Sequence, residues 1–221
     1  MGFSKCIFCQ NHLYKLSDGM LKCSCCKRKY SPSKLKRDFA VIDAFIENMS
    51  ILHASMQLNL NYQSVKRRYD KLRAFSINIC EDVSETFKFE EFEEYCFSYN
   101  RHKKETNNLF KSYNFITFAA KEGVYNFTLP SLERFKGNLS ETDEQIHLMK
   151  RFMRNSHIGK LKNHDNNINM FWEFFENHIS RFKGVDAKNF GIYLKEAEFK
   201  FNHSKEKQKE LLKIAWIESM R

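Results

Sequence analysis

Four cysteines stand in two matched pairs, Cys6-Ile7-Phe8-Cys9 and Cys23-Ser24-Cys25-Cys26, with thirteen residues between Cys9 and Cys23. Two such knuckles, each offering two thiolates from a tight turn, are the donor set of a tetrahedral zinc site. Cys25 is a spare thiol inside the second knuckle; the matched spacing favours Cys6, Cys9, Cys23 and Cys26 as the metal ligands. Four thiolates leave no open coordination position, so the expected role of Zn2+ here is structural. A disulfide is the weaker reading, because a chain that reads as cytosolic keeps its thiols reduced. Between the knuckles, Leu13-Tyr14-Lys15 and Met20-Leu21-Lys22 read as short strands around an Asp18-Gly19 turn, the layout of a zinc ribbon.

A further stretch could do chemistry: the Asn-rich segment from Asn163 to Asn169 leads into an aromatic helix, and reads either as a helix cap or as a buried polar site.

The basic residues are unevenly placed. The 221-residue chain carries 37 Lys+Arg against 27 Asp+Glu, a formal charge of +10. Residues 1–77 hold 14 basic and 5 acidic residues, so +9 of that excess falls in the first third and +1 in the rest. Such confinement is the electrostatic footprint of a nucleic-acid-binding region. No apolar run reaches the ~18 residues a membrane span needs, and the N-terminus lacks a signal-peptide core, which predicts a cytoplasmic protein without a membrane partner.

The elements that position these groups follow from periodicity. From Ser31, Leu35, Phe39, Ile42, Phe45 or Ile46, and Met49 recur at helical spacing. Ser50 is placed to cap a second helix reaching Leu58, and Asn61, after an Asn59-Leu60 turn, a third from Tyr62 to about Phe75. Val65, Tyr69 and Leu72 share one side of that third helix. This leaves Gln63, Ser64, Lys66, Arg67, Arg68, Lys71 and Arg73 for an exposed, DNA-reading side in a helix-turn-helix layout. Gln63, Ser64 and Arg67 would then reach base edges, and Lys66, Arg68, Lys71 and Arg73 phosphates.

After about Ser84 the period changes to two. Phe87, Phe89, Glu91, Glu93 and Tyr95 are expected on one strand face; Tyr113–Ala120 and Val124–Leu129 form a hairpin across Lys121-Glu122-Gly123. A helix over 141–154, a short strand over 157–161, and helices Asn167–Phe182, Asn189–His203 and Lys205–Met220 follow. Strands first and then helices predict an α/β layer domain. The expected domains are a zinc ribbon over 1–32, a helix-turn-helix module over 33–80, and the α/β domain over 81–221.

The paired knuckles, the helix-turn-helix, the H-x-N-x-I-x-x-F-W stretch from His164 to Trp172, the Phe182-Lys183-Gly184 after it, and Tyr193-Leu194-Lys195-Glu196-Ala197-Glu198-Phe199-Lys200-Phe201-Asn202 together resemble bacterial insertion-sequence transposases with an N-terminal zinc ribbon. The resemblance covers almost the whole chain. It implies a ribonuclease-H-like mixed sheet with helices, in which acidic residues hold two divalent ions, Mg2+ or Mn2+, about 4 Å apart for phosphodiester cleavage and strand transfer. It implies Glu93 at the first acidic position, where Asp is usual, and Asp143 as the nearest match to the second. It implies Asn169 at the third, where an acid is common and Asn sometimes stands; Glu176 occupies a position often held by Lys. By the same resemblance the partners are double-stranded DNA, as element ends and target, and further copies of the chain. The expected activity is that of a DDE-type DNA transposase; the alternative is a catalytically impaired relative acting only as a sequence-specific DNA-binding protein.

Overall fold

The computed structural model describes residues 4–97, 112–130, 166–182 and 185–220. The expected helix over 141–154, the strand over 157–161, Asp143, His164 and the Lys183-Gly184 turn lie outside the described residues. Those described form a mixed α/β structure with two three-stranded antiparallel sheets and six α-helices. By its contacts the chain divides into two compact units, residues 1–79 with 203–221, and residues 80–202.

In the first unit, β1 (Leu13–Lys15), β2 (Leu21–Cys23) and β3 (Lys29–Tyr30) pair in that order, all antiparallel. The β1–β2 turn is closed where Asp18 Oδ1 accepts the Met20 N–H at 2.9 Å and where Gly19 takes φ +78°, a left-handed backbone suited to glycine. Three helices follow: α1 (Pro32–Ile46), α2 (Ile51–Gln57) and α3 (Tyr62–Ser84). Each begins where a small polar side chain takes an orphan N–H. Ser31 Oγ accepts from Lys34, Ser50 Oγ from His53, and Asn61 Oδ1 from Gln63. The first two end alike. Asn48 and Asn59 take φ 58° and 50°, and the paired bonds Met49→Ala44 with Asn48→Phe45, and Leu60→Ser55 with Asn59→Met56, close each helix as a Schellman motif. These asparagines do what glycine usually does, because a short polar side chain tolerates the left-handed region.

Helix α3 runs nine residues beyond the expected end at Phe75, with no glycine or proline to stop it. It is fixed to α1 and the α1–α2 connection by the Phe45–Tyr69 edge contact, by Tyr69 Oη donating to the Met49 carbonyl at 3.1 Å, and by the Arg68–Asp38 ion pair at 2.8 Å. The sixth helix, Lys205–Glu218, also belongs to this unit. It buries Leu212 and Trp216, sets Trp216 against Phe75, and bonds Lys209 to Asp43 and Lys205 to Glu47 on or beside α1.

In the second unit β4 (Glu91–Phe97), β5 (Tyr113–Ala119) and β6 (Val124–Thr128) form an antiparallel meander, with Glu93 opposite Thr117 and Thr117 opposite Asn126. Helices α4 (Asn167–Ile179) and α5 (Phe190–Asn202) complete it; the Lys205 helix is numbered α6. Phe97, Phe115, Val124, Phe171, Phe175, Ile179, Phe190 and Leu194 lie in its core. The strand alternation expected from Phe87 corrects at one point. Phe87 and Phe89 precede β4, and Phe89 packs on Phe118 and Tyr125, on the opposite side from Glu91, Glu93 and Tyr95. The backbone breaks register before the strand begins, so the inner face runs acidic and then aromatic.

Candidate functional site

Each cysteine knuckle is followed by a residue with left-handed backbone, Gln10 and Lys27, both at φ 60°. The same two turns recur around it. Cys6 N–H bonds Asn11 O and Cys23 N–H bonds Arg28 O, while Phe8 N–H points at Cys6 Sγ and Cys25 N–H at Cys23 Sγ, each at 3.4 Å. The sulfurs of Cys6, Cys9, Cys23 and Cys26 consequently lie within 4.8 Å of one another, with Cys9–Cys23 at 3.4 Å and Cys6–Cys26 at 3.7 Å. An ion ~2.3 Å from each sulfur in a tetrahedron needs sulfurs about 3.8 Å apart, so the cluster can hold a metal such as zinc. Hydrogen bonds from the Asn11 backbone and side chain, then from Cys23, pull the Cys9 thiol down to about 6, which favours the ligating thiolate. Cys25 points to solvent, outside the cluster.

On α3 the expected exposed row is divided. Gln63, Lys66 and Arg67 are exposed, Ser64 and Lys71 half-buried. Lys66 pairs with Asp70 one turn on at 3.3 Å, and Lys71 lies over the rings of Phe75 and Trp216. The expectation that Arg68 and Arg73 stand exposed is corrected. Arg68 turns inward, its Nε donating to Asp38, which is 2% exposed, and its Nη1 to the Ser64 carbonyl. Arg73 is 5% exposed and bonds Asp70. Residues 68 and 73 fall beside the apolar stripe Val65, Tyr69, Leu72; from there the Arg68 guanidinium reaches the buried Asp38, while that of Arg73 folds back to Asp70 on the same helix.

In the second unit, α4 lies along the inner face of β4. Asn166 Nδ2 donates to Glu91 Oε2 at 3.4 Å, the Trp172 ring sits 4.5 Å from that of Tyr95, Tyr95 Oη donates to Glu176 Oε1, and Phe175 packs on Phe97. Strand and helix therefore run in step, residue 91 with 166, 95 with 172 and 176, and 97 with 175. Glu93 shares the face of Glu91 and Tyr95 by the two-residue period. Asn169 lies on α4 between Asn166 and Trp172. Both are half-buried. Directly across from Glu93, Thr117 accepts the Trp172 indole N–H at 3.0 Å and donates to Asn126 Oδ1 at 2.7 Å. Burial pushes the Glu176 carboxyl upward.

Two asparagines of the cluster, Asn166 and Asn167, have structural roles. Asn166 caps α4, its Oδ1 taking the Asn169 N–H at 2.9 Å, and Asn167 Nδ2 donates to the Ala120 carbonyl. The polar residues of the Tyr193–Asn202 stretch are likewise structural. Glu198, 1% exposed, accepts the backbone and side-chain N–H groups of Asn126 and bonds Lys195; burial raises its carboxyl despite these partners. Glu196 takes Lys200 at 2.7 Å and stands 3.5 Å from His178. Asn202 bonds both the N–H and the C=O of Val124 on β6. The bonds of Glu198 and Asn202 to β6 were not legible in sequence, since Asn126 and Val124 come from a distant segment.

What fold and cluster define is a mixed α/β protein with a four-cysteine cluster able to hold a metal ion, and no helix among the described residues is long and apolar enough to cross a membrane. Over 54 residues the chain is 35% identical to an uncharacterized transposase-like protein of Haemophilus influenzae; the match covers 24% of this chain and 44% of that protein, less than half its length. No family model and no solved structure matches.

Proposed function

We propose that the chain is a DNA transposase in which the first unit binds the ends of an insertion sequence and the second, with a ribonuclease-H-like arrangement, cleaves and joins DNA strands. The observation that supports this reading is the register of α4 on β4, in which Asn166 meets Glu91 and Trp172 meets Tyr95, with Glu93 and Asn169 falling between those two contacts. The partial likeness to a transposase-like protein and the concentration of the net positive charge in residues 1–77 support it. In this reading α2, the Leu58–Asn61 connection and α3 act as a helix-turn-helix, and Gln63, Ser64, Lys66, Arg67 and Lys71 contact DNA. Arg68 and Arg73 instead hold the helix in place.

Mg2+ or Mn2+ would bind at Glu93 and Asn169, with Asp143 as the expected second acid, and would activate the attacking oxygen and stabilise the leaving one. The donors on the described elements fit such an ion in part. They offer one carboxylate and one carboxamide oxygen, and an amide ligand leaves more ion charge to be balanced by the DNA phosphate itself. The Trp172–Thr117 hydrogen bond ties the helix that carries Asn169 to β5, which pairs with the strand that carries Glu93. The second reading, DNA binding without cleavage, is favoured by the neutral amide at 169 together with the engagement of Glu176 by Tyr95.

The test is incubation with a supercoiled plasmid carrying the DNA that flanks the coding sequence, plus Mg2+ or Mn2+. Nicking that is lost in Glu93→Gln and Asn169→Ala supports the transposase. Binding without nicking by the unaltered chain assigns the second reading.

A further inference from the structure

We propose that the outer face of the β1–β2–β3 sheet is a second contact for the DNA backbone, with Lys22, Lys29 and Lys5 facing phosphates and Tyr14 at the edge of the row. The inference rests on the reading of this chain as a DNA-binding protein and adds a surface to it that is separate from α3.

The register sets the surface out. Tyr14 pairs with Lys22 and Lys22 with Lys29, so these three side chains stand side by side on one face, over two strand spacings or roughly 10 Å. Two residues before Tyr14, on the same face, His12 is bridged to Lys5. All but the half-buried Lys22 are exposed, Tyr14 by 39%. The other face holds Leu13, Cys23 and Tyr30, all buried, so the metal cluster and the small core are served entirely from the inside.

Nothing in the ribbon's own stability requires cations outside. Lys22 stands directly opposite Lys29, an arrangement that costs stability in a sheet. Asp18 is the one acid among residues 4–37, against nine lysines and arginines, and its carboxylate is turned onto the Met20 N–H. Among the described residues no carboxylate pairs with Lys5, Lys22 or Lys29. A polyanion laid along the row relieves the repulsion, and the Tyr14 hydroxyl adds a neutral donor to phosphate. The surface is also held rigid, since the backbone N–H and Oγ of Ser24 both donate to the His12 carbonyl.

The experiment uses the full zinc-loaded chain and a 30-base-pair mixed-sequence duplex, titrated by fluorescence anisotropy at several salt concentrations. Lys22→Ala with Lys29→Ala should weaken binding roughly tenfold and lower the slope of log K against log salt by about 1.8, two phosphate contacts' worth. Lys22→Glu is the second variant. It sets opposite charges across the strands, so zinc retention should hold or improve while affinity falls, a combination that a merely structural lysine does not give. Unchanged affinity and slope in both variants, with loss in Arg67→Ala, overturns the inference and leaves DNA binding by α3 standing. Loss in the ribbon variants but not in Arg67→Ala supports the inference and removes the α3 assignment. An unaltered chain that binds the duplex at no salt concentration overturns both.

Discussion

Arg68 and Arg67 are neighbours in sequence and opposites in role. Replacing Arg68 with Ala leaves Asp38 buried without its partner, and unfolding in urea should show a loss of about 3 kcal/mol. Arg67→Ala, at an exposed position, should stay within about 0.5 kcal/mol. DNA affinity lost in Arg68→Ala would therefore track folding. His178 is a second residue whose burial sets its behaviour. It is 1% exposed, and burial pushes it below its ordinary value of 6.5, with the Glu196 carboxylate opposing and the charges of Lys200 and Arg181 adding. Below pH 6.5 the unfolded chain binds a proton that the folded chain refuses, so stability is present above that pH and lost as pH falls through the window beneath it. Glu198, raised by burial, titrates in the opposite sense, losing stability as pH rises above 4.5. Comparison isolates the histidine: the urea midpoint should drop less between pH 7.5 and 5.5 in His178→Gln than in the unaltered chain.

At the scale of elements, the end of α5 is fastened to the start of β6 by the side chain of Asn202 and by the absence of one at Gly123. The Asn202 carboxamide pairs with Val124 as an added strand would. A Cβ on Gly123 would come within 2.5 Å of Asn202 Oδ1. Asn202→Ala strands an N–H and a C=O at about 1–3 kcal/mol each, and Gly123→Ala should destabilise comparably by forcing the amide away. If the two act through one contact, thermal denaturation of the double variant should show far less than the summed loss. Element boundaries were largely legible in sequence, since Ser50 and Asn61 cap the helices they were expected to cap and the first helix starts just after Ser31, where its pattern begins. The end of α3 and the start of β4 were not. Helix length depends on the tertiary contacts of residues 76–84, and Phe89 follows ring packing instead of strand alternation.

For the whole molecule, the first unit is not contiguous in sequence. Helix α6 follows the second unit in the chain, yet its buried Leu212 and Trp216 belong to the first. Ending the chain at residue 202 removes apolar burial of about 1.5–3 kcal/mol for each of those side chains. In calorimetry the transition of the first unit should move down in temperature while that of residues 80–202 stays. A single transition shifting as one would show that the units unfold together.

Composition and spacing alone determined the cysteine set, the basic N-terminal third, the capped helices and the strand hairpin. Each rests on neighbours a few residues apart, or on the fixed thiolate geometry of one metal. The tertiary structure decided which arginines face inward, that Glu198 and Asn202 brace the sheet, and that Asn166 and Trp172 of α4 meet Glu91 and Tyr95 of β4. Those outcomes depend on which side chain from a distant segment arrives to share a buried charge or hydrogen bond, and pairing of that kind leaves no period in the sequence.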